Sequence, residues 1–265
     1  MALMVLFALI AIQPNAIYAQ QTTPRKANTL KVKEEPKLPV VQIDFQYTYQ
    51  QPFGMLNERF GGFNAIGIGA SYRAVNALTV GFDLSALWGG NVKDNGRLDS
   101  ITGPTGSLID NNGNPAVMRL YMLGYHSNAY LGYLVRTSRA NPNNGVMLRM
   151  GAGFLQHRIR YQHTINVMPQ LEDNMYKGYD QLTYGFMTTQ FIGYQYSSLV
   201  KIVNFWGGIE LSQGFTQNRR EFDYATRMPD TEPRRDFLIG FKAGFMIPIF
   251  LHGKGAREGS EIFFN

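Results

Sequence analysis

From Val41 the chain takes up a period of two: Val41, Ile43, Phe45, Tyr47 and Tyr49 alternate with Gln42, Asp44, Gln46, Thr48 and Gln50. Successive side chains of a β-strand point to opposite faces, so the pattern predicts a strand with one bulky apolar face and one polar face. It returns over Phe63 to Arg73, where Ile66, Ile68, Ala70 and Tyr72 oppose Gly67, Gly69, Ser71 and Arg73. After a tight Ala74–Ala77 connection, Leu78, Val80, Phe82, Leu84, Ala86 and Trp88 share a face against Thr79, Gly81, Asp83 and Ser85. A fourth strand lies within Met118 to Val135, with Asn128 to Val135 its more regular half, and a fifth runs from Val146 to about Tyr161. A sixth spans Leu182 to Tyr196. The seventh sets Val203, Phe205, Ile209, Leu211 and Phe215 against Asn204, Gly208, Glu210 and Ser212. The eighth sets Phe237, Ile239, Phe241, Ala243, Phe245, Ile247 and Ile249 against Gly240, Lys242 and Gly244.

Gly89 to Pro115, Gln162 to Gln181 and the charged Thr216 to Arg234 have turn chemistry and no period, so they are expected as loops, while Asn141 to Gly145 is a turn. Connections after strands one, three, five and seven are mostly long, the first being the shortest of them, and those after strands two, four and six are short. An even number of strands with that asymmetry predicts an up-and-down meander with both ends on the short-turn side. A soluble sandwich would also alternate, but the face opposite the apolar one is here mainly Gly, Ser, Thr, Asn, Gln and charges, which suits a narrow barrel interior. Tyrosine, phenylalanine and tryptophan recur near segment ends, as interfacial girdles require. The expectation is an all-β chain: an eight-stranded antiparallel transmembrane β-barrel over residues 40–250, followed by a C-terminal periplasmic tail over 251–265.

Composition agrees with this reading. Mean hydropathy is only −0.19 and charged residues make up 17% of the 265, because alternation averages apolar and polar positions where a helical span would need about 20 apolar residues in a row. Cysteine is absent, which removes disulfides, thiolate metal sites, a cysteine nucleophile and a lipidated cysteine. The formal charge of +6 is scattered, and no basic helix or aromatic RNA-binding signature accompanies it, so no nucleic-acid partner is expected. Upstream, Ala2 to Ile12 is an apolar run of export-signal length, followed by Pro14-Asn15 and Ala16-Ile17-Tyr18-Ala19, which predicts a signal peptide over 1–19 cleaved after Ala19. No Lys or Arg precedes the run. Residues 20–39 carry three prolines and many charges, and read as a flexible periplasmic tail, either a solvated leader or a docking peptide.

Candidate chemistry follows from the faces. Asp44, Asp83 and Glu210 share the polar face with Arg73, Arg149 and Lys242, so three acids and three bases are expected inside one barrel. Buried charges must be paired, which makes a plugging salt-bridge network the expected arrangement and a proton or ion path its alternative. His126 and Ser127 are similar to the histidine and serine of outer-membrane lipid A deacylases, where a histidine base activates a serine nucleophile. Here they are adjacent, so His126 should face inward and Ser127 outward. His157 and His163 sit near the outer end of strand five and are expected as surface histidines. No metal set and no cofactor site emerges. Lys177, Tyr179 and Asp180, with Arg219 and Arg220, fall in expected extracellular loops, where they are candidates for lipopolysaccharide phosphates or for a protein partner.

Three segments carry a family resemblance: Asn143 to His157 (NNGVMLRMGAGFLQH), Lys177 to Gly185 (KGYDQLTYG) and Gly244 to Phe250 (GFMIPIF). Through them the chain resembles the small outer-membrane barrels of Gram-negative bacteria, more narrowly the Bacteroidota-type outer-membrane β-barrel proteins, over roughly residues 40 to 250. The resemblance implies location in the outer membrane and, for some members, a role as accessory subunit of a secretion or assembly complex. The functional expectation is therefore a non-enzymatic outer-membrane barrel acting as a structural or accessory subunit, in contact with outer-membrane lipid and lipopolysaccharide. A passive transport barrel for small or hydrophobic solutes is the second reading, and a lipid A-modifying enzyme the third.

Overall fold

The computed structural model describes residues 37–93, 96–103, 108–116, 118–163, 171, 175–198 and 204–251. The expected signal peptide, most of the leader and the tail beyond Leu251 lie outside the described residues. Eight long strands close into a barrel: β1 (Val40–Gly54), β2 (Phe63–Arg73), β3 (Leu78–Gly89), β6 (Met118–Arg136), β7 (Gly145–His163), β8 (Thr183–Ser197), β9 (Asn204–Asn218) and β10 (Pro233–Phe250). A small hairpin, β4 (Leu108–Ile109) and β5 (Pro115–Ala116), stands outside the ring. Each long strand pairs antiparallel with its sequence neighbour, and β1 closes on β10 from Val40↔Phe250 to Gly54↔Asp236. Closure leaves no unpaired sheet edge, which backbone surrounded by hydrocarbon requires.

The pairing fixes the tilt. Followed once round from Val40, it passes Arg73, Thr79, Gly132, Arg149, Phe191, Glu210 and Gly240 and returns to β1 at Gln50, ten residues higher. Eight strands with that stagger tilt by about 35–45° and enclose a space that side chains can fill.

Polarity is the reverse of a soluble protein's. Ile43, Phe45, Tyr47 and Tyr49 are exposed on the outer wall of β1, whereas Gln42, Asp44, Gln46, Thr48 and Gln50 are buried inside. The same holds round the ring: Ile68, Phe82, Leu131, Met150, Ile192, Leu211 and Phe241 face outward, with Phe241 72% exposed. An apolar wall of this extent has one solvent in which it is stable, the hydrocarbon of a bilayer. No described helix is long and apolar enough to span a membrane.

β1 runs past the expected Gln50 to Gly54, whereas β6 and β7 match the bounds expected from sequence to within two residues and are long for a membrane crossing. β6 and β7 are 19 residues each, although a tilted crossing needs about 9–11. Their loop-side halves stand clear of the apolar belt, so Arg119, Arg158 and Arg160 break the apolar pattern while the backbone pairing runs on to Met118↔His163. The Gly89 to Pro115 stretch is likewise more than loop. It holds a 3₁₀ turn at Asp99–Ile101 and the β4–β5 hairpin, whose bend is set by Asp110 Oδ1 accepting from the backbone N–H groups of Asn112 and Asn114, both at 2.8 Å, with Gly113 at φ 81°. The β1–β2 connection contains a second 3₁₀ turn, Met55–Glu58.

The belt generates the first prediction. Ile68→Arg, on the outer wall between Phe45 and Leu84, should destabilise the folded barrel by about 2–4 kcal/mol, read from the urea midpoint of folding into phospholipid vesicles. A midpoint unchanged from the parent chain would mean that this wall does not face lipid.

Candidate functional site

The lumen is filled in three layers. At its centre Lys242 Nζ donates to Glu210 Oε2 at 2.7 Å and lies 3.5 Å from Asp83 Oδ1, while His126 Nε2 approaches the same carboxylate at 3.7 Å. All four residues are buried. One fully held ammonium between two carboxylates stays stable only because geometry and extra hydrogen bonds offset the loss of water, and Gln50 Nε2 supplies one such bond to Glu210 Oε1 at 3.5 Å.

Below the centre, toward the short turns, Trp206, Phe191, Met147, Leu134, Met246 and Ala77 form an apolar floor. Trp206 joins floor to centre: its indole N–H donates to Asp44 Oδ1 at 2.9 Å, and the Arg149 guanidinium lies 4.6 Å from its ring. Arg149 also lies 4.6 Å from the Tyr130 ring, so its charge rests between two aromatic faces. Two lumenal glycines give these rings their space. A Cβ on Gly244 would come within 2.8 Å of the Trp206 ring, and one on Gly81 within 2.5 Å of Tyr130. Beneath the floor the Thr137–Asn144 turn tucks inward, where Asn143 Oδ1 accepts from Arg73 Nη2 at 2.6 Å and the Asn143 carbonyl accepts from Gln195 Nε2 at 2.9 Å.

Above the centre, Leu56 and Phe60 of the β1–β2 connection drop into the loop-side mouth and pack with Phe63, Leu87, Met122, Leu155, Ile159, Met187 and Leu238 as an apolar roof. Inside it lies a second polar group that the sequence reading missed. Asp236 accepts from Thr216 Oγ1 at 2.6 Å and lies 3.7 Å from Arg59 and 3.6 Å from His157. Thr183 Oγ1 accepts from both Arg59 and Arg234, and Arg234 pairs in turn with Asp230. Burial and the neighbouring Arg234 charge lower the Arg59 guanidinium to about 10, against which Asp236 acts.

Of the six residues expected in a single network, Asp83, Glu210 and Lys242 are joined by direct ion pairs, and Asp44 and Arg149 lie within electrostatic reach of them. Asp44 and Arg149 meet through Trp206, and Arg73 belongs to the turn below. Arg73 and Arg149 make no ion pair with a described carboxylate. His126 faces inward and is buried, while Ser127 lies on the outer wall paired with Leu84 and Phe154, so the two cannot act together. His157 is not on the surface: it is fully buried, with Phe60 edge-on at 5.4 Å. Its odd position on β7 carried that signal, since the inward set there includes Leu155 and Ile159. The side chain of His163 lies outside the described residues. Among the described residues no group of His, Asp and Glu is arranged to hold a metal ion.

The long loops pack into a cap over the roof, around Leu98, Leu108 and Tyr179 with Ile101, Ala116, Met118, Tyr161, Leu171 and Ala225. Asp180 binds Arg220 through two hydrogen bonds, which hold the guanidinium above its ordinary pKa. Arg97 is joined to Asp223 at 2.9 Å. Tyr179 stacks edge-on against Tyr224 at 5.5 Å. Of the loop residues singled out from sequence, Tyr179 and Asp180 are therefore buried within the cap and Arg220 is tied to Asp180, leaving Lys177 and Arg219 exposed.

No family model and no curated protein matches the chain. Among solved structures, Ail of Yersinia pestis aligns at TM-score 0.41 and 9% identity, over 79% of this chain and 99% of that one. Neisserial surface protein A aligns at 0.39 and 14% identity over 79% and 96%, and the outer membrane protein OprG of Pseudomonas aeruginosa at 0.39 and 8% over 82% and 99%. The barrel assignment rests on the chain's own pairing and polarity.

Lys242→Met should destabilise the folded barrel by about 3–5 kcal/mol, because Asp83 and Glu210 would then be buried without their cation. The triple change Lys242→Met, Asp83→Asn, Glu210→Gln removes every charge of the cluster and should recover most of that loss in the same refolding assay. Equal damage from both would show that the ion cluster is not the source of the effect.

Proposed function

We propose that this chain is an integral outer-membrane protein whose barrel is closed to solutes and whose loop cap is its working surface, serving as a structural or accessory subunit of an outer-membrane secretion or assembly complex. The observation that carries the reading is the filled lumen. An apolar floor, an ion-paired centre and a roof in which apolar side chains enclose the Asp236 group fill the lumen, and hydration of the roof would expose Leu56, Phe60 and Met122 to water. The even strand number, the short turns at the end that carries Val40 and Phe250, and the long loops at the other end favour the outer membrane, with the cap outside the cell. An alternating wall of Leu, Ile, Phe and Tyr anchors the chain, and the cap, knit by Asp180–Arg220 and Arg97–Asp223, is preformed for a partner.

The separation of His126 and Ser127 to opposite faces argues against the lipid-modifying reading, and the three filled layers argue against passive transport.

In planar bilayers the purified chain should show no conductance steps above the bare membrane, and discrete steps would overturn the closed-barrel reading. In cells, a photo-crosslinking residue at exposed Lys177 should give one discrete, reproducible adduct, whereas the same residue at Val75 on the opposite end should give none of that size. Absence of any adduct at Lys177, with the chain migrating as a monomer in mild detergent, would contradict the subunit role.

A further inference from the structure

We infer that the outer wall of the barrel carries a one-sided arc of arginines, Arg119, Arg158, Arg160, Arg219 and Arg235, that binds the phosphate groups of lipid headgroups in the loop-side leaflet. The inference rests on the membrane location proposed above. Strand parity places all five outward. On β7 Arg158 and Arg160 continue the outward row of Leu148, Met150 and Phe154, and they pair with Leu123 and Tyr121 of β6. Arg119 pairs with Gln162 on the same wall. Arg235 precedes outward Phe237 by two positions and pairs with outward Phe215, and Arg219 extends the outward row of β9, its guanidinium lying 4.7 Å from the Tyr184 ring.

Height is fixed by the same registers. Tyr125, Phe154 and Tyr184 stack as an aromatic row at the loop-side edge of the belt, with centroids 6.3 and 5.4 Å apart. Arg158 stands two residues above Gln156, the partner of both Tyr125 and Tyr184. The arc thus occupies the level just above interfacial aromatics, where the headgroups of a bilayer lie. Because the pairing climbs ten residues per circuit, Arg235 on β10 falls near the level of Arg158 on β7, although their sequence registers are far apart.

Two further observations separate this arc from an ordinary solvated rim. The outward positions of β6 to β10 above the aromatic row contain no Asp or Glu, and none of the five arginines is ion-paired with a described carboxylate. At their loop-side ends the outer faces of β1 to β3 present Gln51, Phe53, Asn64 and Trp88, which carry no charge. Guanidinium groups on β6 and β7 and at the ends of β9 and β10, with no described carboxylate between them, repel one another unless an anion lies there. A phosphate accepts from a guanidinium through two oxygens, and arginine's fork matches it better than lysine's point charge would. The cap loops are poorer candidates, for Arg220 and Arg97 already hold Asp180 and Asp223.

The test uses the full chain in nanodiscs of phosphatidylcholine containing a small fraction of bisphosphorylated lipid A, with bound lipid A measured by native mass spectrometry. Arg158→Gln, Arg160→Gln and Arg235→Gln combined should lower its retention about tenfold or more, and lipid A stripped of its phosphates should be retained equally weakly by parent and variant. Lys177→Gln, which removes an exposed charge from the cap, should leave retention unchanged. Both variants should insert and keep the heat-dependent gel shift of the parent. Equal retention by parent and arginine variant would overturn the arc while leaving the membrane location standing, and failure of the parent chain to insert at all would overturn both.

Discussion

The structure depends on one constraint: a closed ring of eight strands in hydrocarbon must turn the charged side chains of its membrane-spanning belt inward, into a space too narrow to hold them solvated. The outer wall follows from alternation alone, but the interior poses the harder problem. Lys242, set 2.7 Å from Glu210 and 3.5 Å from Asp83, meets it at mid-height, and everything above and below is arranged to keep water from that cluster. Trp206 and Phe191 close one side, and Leu56 and Phe60, delivered by a short 3₁₀ turn rather than by a strand, close the other. A single removed charge is costly here because its partners cannot reach solvent.

The same constraint sorts function. On the proposed reading a lumen filled by its own side chains makes the barrel a fixed body, and its chemistry moves to surfaces that meet lipid or other proteins. The packed cap and the arginine arc are such surfaces. They differ in kind, for Arg97 and Arg220 of the cap are held by Asp223 and Asp180, while the arginines of the arc, facing the headgroup level, meet no described carboxylate.

Much of the barrel was legible in the sequence, because alternation reports directly which face meets hydrocarbon. Val41 to Gln50 and Phe237 to Ile249 give both face and direction, and Asp83, Glu210 and Lys242 were placed together from parity alone. What alternation cannot report is an apolar residue that points inward. Trp206, Phe191, Met147 and Leu155 obey inward parity, yet a binary pattern reads them as interruptions; the signal that identifies Trp206 is Gly244 across from it on β10. His157 obeys the same inward parity, yet its place near the loop-side end of β7 reads from sequence as surface. The division of Arg73 and Arg149 from the central cluster needed heights within the lumen, which depend on the ten-residue stagger and on no local feature. Contacts between loops, such as Asp180 with Arg220, have no period to reveal them.

The two tryptophans allow the central claim to be measured directly. Trp88 lies on the outer wall at the loop-side edge, 39% exposed, whereas Trp206 is buried in the lumenal floor at 1%. In a Trp88→Phe chain folded into vesicles, Trp206 fluorescence should resist both acrylamide and brominated lipid, while in a Trp206→Phe chain Trp88 should be quenched by brominated lipid. Efficient acrylamide quenching of Trp206 would mean a hydrated lumen, and would contradict a barrel sealed by its own side chains.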